Sequence, residues 1–452
     1  MATGAEPTPV RSAVALAIAW LARDREDVAA VHLGRALAVA PDDPEAHQWV
    51  AYLQVRQGAL TDAVEHLRVA AAASEAGSYL HDELALLLDL AGCPPEVDLP
   101  ANPSGRLRFR SRYRRLHHRS GWQYAVGALE PLHNPDGVLF ESILEDPFAW
   151  QHPRPGVRPE AQLLAAFRSR ADEHRVTSEE RGTVPFLEPW IGFVHNPHNM
   201  PSWFHGDDAP QALFARDVWR ESASHCVGLF ALSEYLGDWL RTATGKPVST
   251  VVHPTETPEV VFEFDRFVAN PSKFVVQVGW WLRRQCAIDR LPLLEDNPLG
   301  YRKLRLVPAF GPMASLQVNM LRRVETRLEG PLDPSTGPVL VRDHIPDDEY
   351  DVLLAENICF LNLYDASANN AIIECLARAT PILVNPLPAV REYLGEEYPL
   401  YYDDLDEAAA MALDLGRLRA AHEHLAASPL RTRLDAATFR LAVEDSEVYR
   451  RL

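Results

Sequence analysis

The residues best suited to chemistry lie in "DASANNAIIECLARATPILVN" (365–385), which starts small and polar, becomes an apolar helix and ends in a β-branched run. A helix opening on Ser367-Ala368-Asn369-Asn370 offers free N–H groups and the positive end of its dipole, the arrangement that binds phosphate oxygens. Small side chains there let an anion approach the backbone. Glu374 lies one turn further in, spaced i,i+4 from Arg378. A salt bridge on the helix flank is one reading of that pair. A carboxylate placed to accept ligand hydroxyls is the other.

Two other stretches supply cations and neutral polar groups. "GWWLRR" (279–284) sets Arg283 and Arg284 just after an expected strand. Only Lys246, Lys273 and Lys303 are lysine among 44 basic residues, so a phosphate clamp in this chain is expected to be arginine. Lys303 opens a strand and suits the task less, while surface solubility is the plain alternative for the arginine pair. "VHNPHNMPSWF" (194–204) follows a buried strand and carries His195, Asn196, His198 and Asn199, which could orient hydroxyl groups. A satisfied structural histidine is the plainer account of His195. His133 and Asn134, in the turn "HNPDG", could line the same cleft or only make the turn. Pro197 interrupts the histidine spacing and no ligand set accompanies it, so no metal is expected. GxSxG, Walker A, GxGxxG and HExxH are all missing from the sequence. "DLD" (404–406) has the spelling of a metal-binding motif but stands at an acidic helix start, where it reads as capping.

Alternating strands and helices must position these groups. "WQYAVGAL" (122–129) is expected as the first strand, and "AQLLAAFRSRADEH" (161–174) as a helix. Strands are then expected at 189–196, 226–233 and 246–254, with a helix at 234–244. A second series of strands begins at 273–279 and continues at 303–310, 338–345, 358–364 and 380–386. Two such series predict two doubly wound α/β domains, with ligands at the carboxyl ends of the strands. The expected boundaries are 121–260 and 261–400, followed by C-terminal helices over 401–452.

Before them the chain repeats itself. An offset of 34 lays Ala17 on Ala51, Ala29 on Ala63, Leu33 on Leu67 and Ala36 on Ala70, and a further offset lays Ala51 on Ala85 and Gly58 on Gly92. That is the period of the tetratricopeptide repeat, so residues 1–95 are expected to form helical repeats. The apolar run "AVALAIAWLA" (13–22) is then the first helix of a stack rather than a signal or a membrane span. Such stacks bind peptides or proteins, support homo-oligomers, or simply cap the next domain. Residues 96–120 read as a linker with an Arg-rich segment, whose alternation of Arg with Leu, Phe and Tyr could make a strand or an anion-binding edge, but which is expected to be solvated and paired with the chain's own carboxylates.

A formal charge of −19 disfavours nucleic acid and anionic membranes as partners. Five scattered cysteines without a CxxC fit a reducing cytoplasm, and the arginine bias fits a GC-rich bacterial genome. No apolar run reaches the length of a transmembrane segment.

The order of elements resembles that of the GT-B glycosyltransferases, most closely the retaining branch with a Glu-x7-Glu motif. The likeness covers roughly residues 120–420 and rests on "SANNAIIE", "TPILVN" and "PLPAVREYLG", which place Glu374 on the second motif glutamate and Glu392 on the glutamate of the following loop. It departs at Ala366, where the first motif glutamate would stand, and at Trp280, where an arginine would follow Gly279. The resemblance implies two Rossmann-like domains and metal-independent transfer of a sugar from a nucleotide-sugar, UDP- or GDP-linked, with no further cofactor. Ser367, Asn369, Asn370, Arg283 and Arg284 would hold the donor phosphates, and Glu374 the ribose. Asp365 and His195 would stand near the reacting sugar. His133, Asn134, Asn196, His198 and Asn199 would face the acceptor, which the repeats could recruit as a peptide or protein. Without the first glutamate, a catalytically silent scaffold that binds a protein partner is the alternative.

Overall fold

The computed structural model describes residues 9–21, 25–57, 59–74, 99–109, 121–145, 148, 186–204, 206–294, 296–307, 314–342 and 345–452. The expected helix at 161–174, the residues of the third repeat (75–98) and most of the Arg-rich segment lie outside them. Two compact units divide the chain: Met1–His117 with Leu132–Trp190 and Leu213–His225, and His118–Pro131 with Ile191–Ala212 and Cys226–Leu452.

The first unit opens with four helices, α1 (Pro9–Leu21), α2 (Glu26–Val39), α3 (Pro44–Arg56) and α4 (Leu60–Ala72). Helix α1 packs on α2, and α3 on α4. Every described residue of the 34-residue offset within these hairpins, from Ala17 and Ala29 to Leu67 and Ala70, is fully buried. Alanine at the crossings lets the helices approach closely, which is why the repeat is written in small residues. Strand β1 (Leu107–Phe109) pairs in parallel with β2 (Val138–Glu141). It falls inside the segment expected to be a solvated linker: Leu107 and Phe109 turn inward while Arg108 pairs with Glu188.

One expected strand is a helix. Residues Trp122–Leu129 form α5, and its buried residues are Trp122, Ala125, Val126 and Leu129. That is spacing i, i+3, i+4, i+7, the signature of one helical face, and it decides the matter against β-propensity.

The strands form two sheets of five. The first runs β1-β2-β3-β4-β5, adding β3 (Trp190–Phe193), β4 (Cys226–Ala231) and β5 (Val248–Thr250). Its described strands step in one direction. The second runs β10-β9-β6-β7-β8, with β6 (Phe274–Val278), β7 (Arg302–Leu306), β8 (Val339–Arg342), β9 (Ile358–Leu361) and β10 (Ile382–Val384), every neighbouring pair parallel. Here the order reverses at β6, and such a reversal opens a crevice at the carboxyl ends of the two central strands. The fold is thus α/β with two Rossmann-like sheets preceded by helical hairpins.

Four helices frame the crevice and its surroundings: α6 (Glu234–Thr244), α7 (Asp347–Glu356), α8 (Asn370–Arg378) and α9 (Pro388–Leu394). At the chain's end, Ala436–Glu444 sets Phe439 near Phe193, and Val448 N donates to the Ser249 hydroxyl, so the C-terminal helices return to the strands of the first sheet.

Candidate functional site

The crevice between β6 and β9 is built from two loops that clasp each other. Arg284 N donates to Asn362 O at 2.8 Å and Tyr364 N to Leu282 O at 2.9 Å. The clasp holds Leu282 at a φ of 55°, a left-handed conformation that a leucine adopts only under constraint. Gly279, at φ 77°, ends the strand. A Cβ there would lie 2.6 Å from Cζ of Arg283, so only glycine leaves room for that guanidinium.

Arg283 is buried, 8% exposed. Its Nη2 donates to Asn369 Oδ1 at 3.1 Å and its Nη1 to Trp281 O at 2.9 Å. Nε has no partner among the described residues. Burial brings its pKa down to about 10, opposed by the pull of Tyr350 and Glu374, so the group stays cationic at neutral pH. Asn369 is the N-cap of α8: its Oδ1 also accepts from Ala371 N and Ile372 N. A cation, a capped helix start and a strand-order reversal therefore coincide. The helix begins at Asn370 rather than Ser367, and two of its first N–H groups are already taken by the cap.

Glu374 is buried, 1% exposed, and accepts from the Tyr350 hydroxyl at 2.5 Å. Burial, then Glu374 itself, drives the Tyr350 phenol well above its ordinary range, so it stays a donor. The i,i+4 pair does not form. Arg378 turns instead to Asp351 of α7, both buried, and gives only a 3.3 Å bond to the Glu374 carbonyl.

Asp365, 3% exposed, is held on both oxygens. Oδ1 accepts from Ala366 N at 2.8 Å, and Oδ2 from Asn199 N at 3.1 Å and the Tyr235 hydroxyl at 3.2 Å. Burial raises its pKa, and these three donors together with His198 oppose the rise. Ser367 Oγ donates to the His195 carbonyl, and the His195 ring meets Trp122 edge-on at 4.2 Å. His198 stacks on Trp239 at 5.0 Å with the rings nearly parallel, and its Nδ1 is buried without a partner among the described residues. Burial keeps its pKa below the ordinary value.

The remaining candidates are differently engaged. Asn196 gives Nδ2 to Asp208 O and takes Trp281 Nε1 on Oδ1, each at 3.0 Å. Asn134 bonds Gly105 O and Asp136 N, and His133 is buried with Nδ1 accepting from Phe109 N, so these two build the turn before β2. Arg284 pairs with Glu329 and lies 4.3 Å over the Tyr364 ring. Lys303 is buried, with Nζ donating to Leu291 O and Thr336 O, and its pKa falls to about 8 through burial. Asp404 caps the following helix through Glu407 N.

Sequence reasoning assigns no role to three residues that the structure places at or near the site. Tyr235 and Tyr350 touch the two central carboxylates, and Glu392 caps α6 by accepting from Glu234 N at 2.6 Å and Tyr235 N at 2.7 Å. Ser233 before α6 signals where that helix begins, but no local signal reveals a partner 158 residues away. Among the described residues no group of three or more His, Cys, Asp or Glu could hold a metal, and no helix is long and apolar enough to cross a membrane.

No protein-family model and no curated protein matches the chain. Among solved structures, a variant of the Thermobaculum terrenum O-GlcNAc transferase aligns over 96% of this chain and 89% of its own, at 14% identity and TM-score 0.40. A UDP-forming α,α-trehalose-phosphate synthase from Burkholderia vietnamiensis aligns over 74% of this chain and 96% of its own, at 14% identity and TM-score 0.43. One from Burkholderia xenovorans aligns over 75% and 80%, at 15% identity and TM-score 0.41.

Proposed function

We propose that the chain is a nucleotide-sugar-dependent glycosyltransferase, retaining and metal-independent, with the donor diphosphate at the start of α8 against Arg283. The observation that carries this reading is the buried guanidinium whose Nε has no partner among the described residues, set beside a helix start at the strand-order reversal. Burying a cation costs free energy, and an anionic ligand that completes its hydrogen bonds offsets the cost. Charge builds on the diphosphate as the bond to the anomeric carbon breaks. A fixed cation and helix N–H groups in a low-dielectric site stabilise that charge without reorganising. The leaving phosphate takes the acceptor's proton while the acceptor oxygen bonds the anomeric carbon on the same face. Asp365 lies close to the positive charge that develops on the sugar.

Ser367, Asn369 and Asn370 border the phosphates in this reading. For Glu374 two roles compete. Contact with the ribose requires the buried carboxylate to leave Tyr350, whereas balancing Arg283 from within the helix requires no movement, and the geometry favours the second. His198 is the acceptor-side residue best supported, since Asn134, Asn196 and Asn199 spend their side-chain amides on bonds within the protein. The helical repeats would bring a peptide or protein acceptor.

Ala366, with Asp365 and Ser367 bonded to residues 195–199, favours one alternative, a scaffold without turnover. A thermal-shift screen against UDP, GDP, ADP and their sugars separates the two. At a hundredfold excess over Kd a bound nucleotide adds about 2.7 kcal/mol of stability. A shift with one nucleotide, abolished in Arg283→Met, supports the transferase; no shift with any of them supports the scaffold.

A further inference from the structure

We infer that Tyr235 is a positioning residue: its hydroxyl, itself held by Asn199, fixes the Asp365 carboxylate in one orientation and leaves it one lone-pair position for a ligand hydroxyl. The inference rests on the donor-site reading of Asp365. Tyr235 is the second residue of α6, and the start of that helix is fixed twice, by Ser233 Oγ on Leu236 N and by the Glu392 carboxylate on Glu234 N and Tyr235 N. The direction of the tyrosine is thereby set by a neighbouring serine and by a glutamate remote from it in sequence. Asn199 Nδ2 donates to the Tyr235 oxygen at 2.8 Å, which turns the phenolic proton toward Asp365 Oδ2 at 3.2 Å.

A carboxylate offers about four lone-pair positions. Among the described residues three on Asp365 are taken, two at Oδ2 by Asn199 N and Tyr235 and one at Oδ1 by Ala366 N. The fourth, on Oδ1, accepts a single hydroxyl, so Asp365 engages the sugar through one bond rather than a bidentate clamp. Tyr235 keeps its proton across the working pH range, because burial and the Asp365 charge push its pKa up to about 12. Besides Tyr235, the titratable group facing Asp365 is His198, whose ring also packs on Tyr235 at 4.8 Å.

The test compares wild type, Tyr235→Phe and Asn199→Ala as full-length proteins. The Asp365 carboxylate is titrated by infrared difference against Asp365→Asn. Acceptor-free hydrolysis of the nucleotide-sugar that shifts the melting midpoint is followed against pH. Losing one hydrogen bond to the charged form moves the Asp365 titration and the acidic limb of kcat upward by about one pH unit in Tyr235→Phe. The nucleotide-induced shift in melting is retained, and kcat falls about tenfold. Asn199→Ala moves both in the same direction by less, and serves if the phenylalanine variant does not fold. An unmoved limb in a variant that still hydrolyses donor overturns the role of Tyr235 alone. A wild type that neither binds nucleotide nor hydrolyses donor overturns the donor-site reading, and this role with it.

Discussion

Helices α6 and α8 begin alike, each with a polar N-cap after a buried strand, yet their free ends are used in opposite ways. The start of α6 is closed by a carboxylate of its own chain, Glu392, which takes two N–H groups and neutralises the positive end of the dipole. The start of α8 is backed by a buried cation, Arg283, which adds to the dipole. One end is spent on joining elements that lie far apart in sequence. The other accumulates positive potential: among the described residues no carboxylate hydrogen-bonds Arg283 or the first N–H groups of the helix, and Glu374 acts on that cation only through space. A helix N-terminus is therefore no site by itself, and the charge placed beside it decides.

Arg283→Met tests this contrast most severely. It should weaken binding of the responding nucleotide by about ten- to a hundredfold, the loss of charge-assisted bonds to phosphate, while the apo protein stays folded because a desolvated cation has been removed. Isothermal titration of both proteins checks it. Glu392→Ala should have the reverse profile: about 1 kcal/mol lost in denaturant unfolding, as for removal of an N-cap, with nucleotide affinity changed far less.

A smaller effect comes from pH. Burial raises the pKa of both Asp365 and Glu392, so the folded state holds their protons more tightly than the unfolded chain. Their contribution to stability is present at low pH and is lost as pH rises through the folded pKa values. Melting of wild type against the Asp365→Asn/Glu392→Gln variant across the acidic to neutral range should show the wild type losing ground as pH increases. The opposite slope would mean that hydrogen bonds outweigh desolvation at these carboxylates. Smallest of all is Arg284→Ala, whose half-exposed pair with Glu329 should change unfolding by less than about 0.5 kcal/mol and leave nucleotide affinity unaltered. A binding defect larger there than in Arg283→Met would reassign the clamp.

Much of this architecture is legible in the chain because it is periodic or punctuated. The 34-residue offset names residues that, where described, are all buried in the hairpins, and β-branched runs bounded by glycine and proline mark the strands from β3 onward. Strand β2 escapes notice because four residues are too few to establish an alternation, whereas at β1 the alternation of Arg with Leu and Phe is visible but an arginine-rich segment in an acidic chain reads more readily as solvated. The misreading at Trp122–Leu129 has a simple cause. Aromatic and β-branched residues raise the strand expectation, while the burial of Trp122, Ala125, Val126 and Leu129 follows the helical period. Arg378 shows the limit at the site. Spacing offers Glu374 as its partner, but Asp351 from the neighbouring helix takes it.

Local physics is written in the sequence: where helices start, which faces are apolar, that a glycine ends β6 and that arginine supplies the cations. Tertiary packing settles which arginine is buried against Asn369, that Tyr350 meets Glu374, and that Glu392 and Asp365 bind groups more than 100 residues away. Helix propensity and capping act within a turn or two and are recorded in neighbouring residues. The pairing of a carboxylate with a distant donor depends on how sheets order their strands, and that order is fixed only when the whole core packs.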